Sequence, residues 1–147
     1  MKFSTSKTEL QLALQKQSKA TPARSTLPIL SSVLFNVEES EAVLRTTDLE
    51  ITIIVNLPVS VESSGRVALP LQTLLDITNE LPNDARMTLT ADENNKTTMA
   101  TDAGSYDIMG KPADEFPGTP EVDNRKAMGV SAKTLKDLIS KTAFAVS

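Results

Sequence analysis

Hydrophobic residues in the first part of the chain recur with a helical spacing. After a short strand predicted at residues 2–5, Ser6 and Glu9 have the spacing of a capping box, in which both side chains satisfy free amides at a helix start. The apolar stripe of the helix consists of Leu10, Ala13, Leu14 and Gln17. The opposite face carries Gln11, Gln15, Lys16 and Lys19, with Leu12 as an apolar exception. The pattern therefore predicts an amphipathic helix that ends before Pro22.

After residue 29 the spacing changes to the alternation of strands. Strands are predicted at residues 33–37, 43–46 and 51–55, close enough along the chain for an antiparallel meander. A strand at residues 67–69 leads into a second helix after Pro70, and further strands follow at residues 87–91, 96–101 and 105–109. The inner face of this helix consists of Leu71, Leu74, Leu75, Thr78 and Leu81. The order strand, helix, strands occurs twice, which predicts an α+β domain of two similar halves.

The helical pattern returns once more beyond a proline-rich and acidic stretch. Residues 110–126 have the composition of a linker or an extended crossing. A short strand is then predicted at residues 128–130, and Ser131 precedes an apolar stripe of Leu135, Leu138, Ile139 and Thr142. Its opposite side carries Lys133, Lys136 and Lys141, so Ser131 aligns with Ser6 as the start of a second copy. We predict a first domain at residues 1–118, a linker at 119–126 and the beginning of a second domain at 127–147.

One strand and one helix cannot bury enough apolar surface to offset the entropy lost when they become ordered. We therefore expect the chain to be a fragment of a longer repeat protein.

Composition excludes several classes of chemistry. The 147 residues contain no Cys and no His, which excludes disulfides, thiolate metal sites and every Ser-His-Asp arrangement. The absence of Cys also fits a reducing compartment. No apolar run approaches the roughly 18 residues needed to span a bilayer, and the polar start lacks a signal sequence. These features predict a soluble cytoplasmic protein without a membrane association.

Charge is distributed unevenly along a chain whose net charge is −4. The first 24 residues carry five basic side chains and one acidic side chain, whereas the remainder is acidic. The outward faces of the two lysine-rich helices suit contact with the phosphates of double-stranded DNA, through Gln15, Lys16, Lys19, Lys133 and Lys136. From charge alone, a solvated surface helix is the simpler interpretation.

Four phosphate contacts, at roughly 0.9 per contact, give a shallow salt dependence with a slope of about −3 to −4. A protein with so low an affinity for DNA needs another way to stay bound, and encircling the duplex is one such way.

Two carboxylates leave an alternative open. Asp48 and Glu50 would point to one face of a strand and supply two ligands of a metal site, although two ligands specify little. Asp48 is also suited to a simple turn before the strand at Ile51. The alternative function is an α+β binding module, or a carboxylate-dependent metal enzyme, unrelated to DNA. Otherwise the residues predict no catalytic group, no metal and no cofactor.

Five short blocks carry a resemblance to a known family. They are Met1-Lys2-Phe3, residues 24–30 (RSTLPIL), residues 47–50 (TDLE), Leu81-Pro82 and residues 112–117 (PADEFP). In these blocks the chain resembles the bacterial sliding clamps, which are the beta subunit of DNA polymerase III. The second and third blocks together are specific, and the match runs through most of the chain.

The resemblance implies a DNA clamp domain with helices on one face of antiparallel sheets. Clamps of this family have three such domains per subunit, and two subunits close head to tail into a ring. The ring encircles double-stranded DNA, tethers the replicative polymerase and is opened by an ATP-driven loader, without catalytic activity of its own. Arg24 matches a residue that touches DNA in the central channel. Tyr106 and Ile108 match apolar positions on the edge strand at the subunit interface, and Asp48 and Glu50 match as structural residues.

Two segments depart from the family pattern. The second helix has an outward face without a cation, formed by Gln72, Asp76, Asn79 and Glu80. The edge strand follows Ala103-Gly104-Ser105, where the family often has Gly-Arg-Ser-Arg, so interface salt bridges of the family are not expected here. The family's pocket for polymerase and loader peptides lies between the second and third domains, which this chain does not contain.

Overall fold

The computed structural model describes residues 1–22, 27–119 and 127–145. Across those ranges the chain forms nine β-strands and three α-helices. The strands are β1 (Lys2–Ser6), β2 (Ser32–Val37), β3 (Ala42–Thr47), β4 (Thr52–Leu57), β5 (Ser60–Ser63), β6 (Gly65–Pro70), β7 (Arg86–Ala91), β8 (Lys96–Thr101) and β9 (Gly104–Met109). The helices are α1 (Lys7–Gln17), α2 (Leu71–Glu80) and α3 (Ala132–Thr142). None of these helices is both long and apolar enough to cross a membrane.

The strands form two antiparallel sheets, and each half of the domain contributes a strand to the sheet of the other half. The larger sheet has the order β5-β1-β7-β8-β9, and the smaller has the order β4-β3-β2-β6. The first strand of the chain therefore pairs with β7, and β6 pairs with β2. The α+β class is confirmed, and the two halves are joined by this exchange of strands. Strand β5, which was not predicted, covers the free edge of β1.

Helix α1 begins and packs as its pattern predicts. The amide of Glu9 donates to the Ser6 hydroxyl (3.2 Å), so Ser6 caps the helix as predicted. The Ser6 hydroxyl in turn donates to the Glu9 carboxylate (2.9 Å), so Glu9 binds the Ser6 side chain and not the amide expected of a full capping box. Gln17 is fully buried, and its side-chain amide donates to the Leu44 carbonyl (2.8 Å). The Thr46 hydroxyl donates to the Gln17 side chain and to its backbone carbonyl. These bonds hold the end of α1 against β3.

A single core lies between the helices and the two sheets. The rings of Phe3 and Phe35 stack at 6.0 Å between centroids and join the two sheets, because Phe3 lies in β1 and Phe35 in β2. Around them the core is aliphatic, and its largest fully buried side chains are Leu10, Leu14, Leu44, Leu57, Leu69, Leu74, Met87, Leu89 and Met99. Leucine and methionine thus supply most of the volume, as the scarcity of aromatic residues requires.

A second, smaller cluster covers the other face of the smaller sheet. Phe116 packs there among Ile29, Leu30, Leu34 and Ala68. The guanidinium of Arg45 lies 5.2 Å from the Phe116 ring centroid and donates to the Pro117 carbonyl (2.9 Å) and to Thr119. Residues 113–119 are therefore attached to the domain, which agrees with the extended crossing among the two interpretations of their composition and not with a free linker. Of the predicted linker at 119–126, only Thr119 lies within the described residues.

Helix α3 forms where the sequence predicts it, with Ser131 as its cap. The Thr134 amide donates to the Ser131 hydroxyl (3.2 Å). Every residue from 127 to 145 is exposed, including the apolar Leu135, Leu138 and Ile139. The short strand predicted at residues 128–130 is wrong for this chain, because a strand needs a pairing partner and none lies beside it among the described residues. That residues 127–147 begin a second domain stays a prediction.

A substitution at Gly65 tests the close passage of the first residue past β6. Gly65 has φ +155°, and an added Cβ would lie 2.8 Å from the Cβ of Met1. Gly104 has φ +145°, with nothing within 4 Å of an added Cβ. Backbone strain of roughly 1–3 kcal/mol applies to an alanine at either position, since both glycines have a positive φ. Only Gly65→Ala adds a steric clash with Met1, so we expect it to lower the free energy of unfolding more than Gly104→Ala does. Urea unfolding of both variants measures the difference, and equal losses would show that the contact with Met1 is unimportant.

Candidate nucleic-acid interface

Helices α1 and α2 lie side by side, so their outward sides form one surface. The side-chain amide of Gln11 donates to Oδ1 of Asn79 (2.7 Å), and the Thr8 hydroxyl donates to the Asn83 carbonyl (3.1 Å). The start of α1 is thus joined to the end of α2. We call this surface the helical face. Two sets of exposed side chains form it. Those from α1 and the 3-10 turn that follows it are Thr8, Glu9, Leu12, Gln15, Lys16 and Lys19, and those from α2 are Gln72, Thr73, Asp76, Asn79 and Glu80.

The predicted cations of the first segment divide into two groups. Lys16 and Lys19 are exposed beside Gln15, so the structure brings these three candidate residues together. Lys7 is only 5% exposed and donates to Oδ1 of Asn83 (2.8 Å). Lys2 forms an ion pair with Glu62 (2.7 Å). Lys7 is therefore not free to contact a phosphate, and Lys2 lies in β1, outside the helical face.

The burial of Lys7 was missed although the sequence contains a signal for it. Lys7 precedes Leu10 by three residues and Leu14 by seven, so it lies on the buried stripe of α1. Its alkyl stem packs there while its ammonium group reaches Asn83. Arg24, the residue for which the resemblance implies DNA contact, lies outside the described residues. The described part of the first 24 residues offers two cations to the helical face, fewer than the four contacts expected.

The outward side of α2 is acidic, as its sequence predicts. Asp76 and Glu80 are exposed, and among the described residues neither carboxylate takes part in an ion pair. The side-chain amide of Gln72 donates to Oδ1 of Asp76 (2.7 Å). Among the described residues, the helical face therefore carries its cations, Lys16 and Lys19, at the C-terminal end of α1, and carboxylates on α2 and at Glu9.

Leu12, the apolar exception in the pattern of α1, lies in a groove. Leu12 is 53% exposed and faces Ile54 of β4, which is 54% exposed. The groove has a volume of about 910 Å³. It is lined by Leu12, Gln15, Lys16, Lys19 and residues 53–56. Because β4 is the last strand of the smaller sheet, one side of this groove is a free sheet edge among the described residues.

The candidate residues of α3 do not join the helical face. Lys133 and Lys136 are exposed on a helix that buries none of its residues. Within the described ranges they form a separate basic surface on α3.

The other free sheet edge is β9, the last strand of the larger sheet. Tyr106 is partly buried against the core, whereas Ile108 is 3% exposed and belongs to the core of its own domain. The Ile108 side chain is therefore occupied within its own domain, and an interface role for this residue stays a prediction. On the opposite side of β9, Asp107 accepts from Lys96 (2.7 Å) and from Thr98 (2.8 Å). These bonds lower the pKa of Asp107 and raise the pKa of Lys96.

The pair Asp48 and Glu50 forms a turn and not a strand face. Oδ1 of Asp48 accepts from the amides of Ile51 (2.6 Å) and Glu50 (2.9 Å), which lowers the pKa of the carboxyl group. Leu49 between them has φ 81°, a left-handed conformation that these bonds support. The arrangement of both carboxylates on one strand face is therefore wrong. No group of three or more acidic side chains suited to a metal ion occurs in the described ranges.

Comparisons with known proteins agree on one family. The family model for the DNA polymerase III beta subunit, N-terminal domain, matches residues 1–120. The chain is 36% identical over 149 residues to the beta sliding clamp of Synechococcus elongatus and 33% identical over 137 residues to that of Staphylococcus epidermidis. These matches cover 100% and 88% of the chain, but 40% and 36% of the relatives.

Solved structures give the same result at the level of the fold. A sliding clamp from Pseudomonas aeruginosa, bound to griselimycin, has a TM-score of 0.91 and 28% sequence identity. One from Bartonella birtlesii, also bound to griselimycin, has a TM-score of 0.93 and 26% identity. Both comparisons cover 100% of the chain and 40% or 39% of the solved structure. The chain thus spans about two fifths of the length of the proteins it matches.

Replacing Asp48 distinguishes a structural turn from a metal site. The folded state lowers the pKa of Asp48, so its stabilisation is present above its ordinary pKa of about 3.9 and is lost as pH falls through the folded value. We expect Asp48→Ala to lower the melting temperature at neutral pH, and this deficit to shrink as the pH falls below the ordinary pKa of an aspartate, because the folded pKa is lower still. Glu50→Ala, which removes no acceptor of these bonds, is the matched control. Stabilisation by Mg²⁺ that disappears in Asp48→Ala would instead favour the metal enzyme.

Proposed function

The chain belongs to the DNA polymerase III beta subunit family, and we propose that it acts as part of a DNA sliding clamp. In this role the protein is a processivity factor of DNA replication, which encircles double-stranded DNA and tethers the replicative polymerase without catalysing a reaction. The observation that carries the proposal is the helical face, a surface of two side-by-side helices in a domain of two antiparallel sheets. Such a surface fits the wall of a channel around a duplex.

The small number of free cations supports encirclement over tight binding. Lys16 and Lys19, with Gln15 beside them, provide two phosphate contacts on the described helical face. These two lysines contribute only about −2 to the salt slope, so on their own they give little affinity at physiological salt. Weak contacts of this kind allow a protein to move along DNA, while a closed ring prevents it from leaving. Arg24, Lys133 and Lys136 are proposed as further contacts.

We propose that the first clamp domain spans residues 1–118 and that a second begins at residue 127, after a linker at 119–126. The support is the aligned position of Ser131 and Ser6, both of which cap a helix through their hydroxyl groups. The apolar stripe of α3 is exposed in this chain, and a further part of a second domain would cover it.

The proposed assembly is a head-to-tail dimer that uses the free edge of β9. The unpaired backbone of this strand suits pairing with a strand of another subunit, and Tyr106 adds a partly buried aromatic ring beside it. The proposed partners of the closed ring are the replicative polymerase and an ATP-driven clamp loader, and the proposed location is the bacterial cytoplasm.

Reversing the charge of α1 tests the contact with DNA. We expect Lys16→Glu with Lys19→Glu to weaken binding to a short fluorescent duplex by at least about tenfold in 50 mM salt, because two attractive contacts become repulsive. Fluorescence anisotropy measures the affinity across a salt series. The control, Arg86→Glu with Lys111→Glu, makes the same change of charge on the sheets and should have a small effect. Equal effects, or tight binding of the unmodified chain in about 200 mM salt, would contradict the proposal.

A chimera tests the proposed subunit interface. The chain replaces the matching stretch of the Synechococcus elongatus relative, and sedimentation velocity measures the oligomeric state. We expect Tyr106→Glu to dissociate the dimer, because a carboxylate would be buried at the edge of β9. Ser105→Glu, on the exposed side of the same strand, should leave the dimer intact. If both variants remain dimeric, Tyr106 is not at the interface.

A further inference from the structure

We propose that the duplex lies over α1 and that the acidic side of α2 repels it, so that the domain has one attracting and one repelling helix. This inference rests on the proposed function, since it concerns how DNA would lie on the same helical face. It assigns a role to Asp76 and Glu80, whose negative charges lower the affinity of the domain for DNA.

Both carboxylates are available to act on a phosphate. Asp76 and Glu80 are exposed, and neither is neutralised by an ion pair within the described ranges. The amide that Gln72 donates to Asp76 carries no net charge, so it orients the carboxylate without cancelling its negative charge. A duplex phosphate that approached α2 would therefore meet like charge, whereas one that approached α1 would meet Lys16 and Lys19.

The bonds between the helices place these opposite charges on one surface but on different helices. The helices run antiparallel, since Thr8 contacts Asn83 and Gln11 contacts Asn79. Lys16 lies five residues beyond Gln11, roughly 7.5 Å along α1, and Asp76 lies three residues before Asn79, roughly 4.5 Å along α2 in the same direction. Asp76 is therefore abreast of the last turn of α1, whereas Glu80 lies farther from Lys16. A duplex over α1 would meet the lysines first, and a duplex over α2 would meet the carboxylates first.

The balance of charge predicts an off-centre duplex. Two free lysines, Lys16 in the last turn of α1 and Lys19 just after it, stand against Asp76 and Glu80 on α2, and Glu9 at the start of α1 adds a third exposed carboxylate. The helical face thus has no excess of positive charge among the described residues, and its described cations lie at the C-terminal end of α1. A duplex on this face would shift toward α1 and be held loosely, which favours sliding.

Charge changes on α2 test the inference. The Asp76→Lys and Glu80→Lys double variant should bind a short fluorescent duplex at least about threefold more tightly than the unmodified chain, with a salt slope steeper by about 1–2. The Asp76→Asn and Glu80→Gln pair, which only removes charge, should give a smaller gain in the same direction. Fluorescence anisotropy measures the binding, and circular dichroism melting verifies that each variant is folded.

A matched control separates a local effect from net charge. Glu39→Lys with Glu41→Lys makes the same change of charge on the exposed turn between β2 and β3. We expect this control to gain much less affinity than the α2 variant. Equal gains, or no gain in the α2 variants, would overturn the inference.

The outcome is also distinguishable from a failure of the proposed function. If Lys16→Glu with Lys19→Glu leaves binding unchanged, DNA does not use α1 and the proposed contact fails. A local gain in the α2 variants would still show that Asp76 and Glu80 repel DNA. If neither the unmodified chain nor the α2 variants bind even at low salt, the inference is overturned.

Discussion

The exchange of strands between the two halves of the domain is the constraint on which the rest of the structure depends. Strand β1 pairs with β7, and β6 pairs with β2, so neither sheet is complete without the first strand of the other half. The backbone of Met1 also joins residue 91, whose amide donates to the Met1 carbonyl (2.9 Å). Because these contacts are distant in sequence, the domain must close long loops before its core forms.

The same exchange determines where the helices lie. Each helix follows its exchanged strand directly, since Ser6 ends β1 and precedes α1, and Pro70 ends β6 and precedes α2. Because β1 and β6 are exchanged, both helices pack against one core, and the Gln11–Asn79 hydrogen bond joins them there. The helical face is a result of topology, and its chemistry is added by residues that topology leaves exposed.

Much of the local structure follows from the sequence because its causes are local. The cap at Ser6, the apolar stripe of α1 and the end of that helix depend on neighbours within one or two turns. Strand positions were predicted to within a few residues for the same reason. Strand β5 was missed because the segment 60–63 has only one apolar residue and forms a strand only where β1 offers an edge.

The α+β class, both helices of the domain and the acidic side of α2 follow from the sequence, since periodicity indicates which residues are exposed together. The three-dimensional arrangement was needed to show that Lys7 and Lys2 contact Asn83 and Glu62, and that Ile108 and Phe116 are buried. It also showed that Asp48 closes a turn. Each of these outcomes depends on a partner or a backbone path that spacing along the chain does not specify. The sequence therefore shows which lysine and arginine residues are present, whereas the fold determines how many of them are exposed and able to contact DNA.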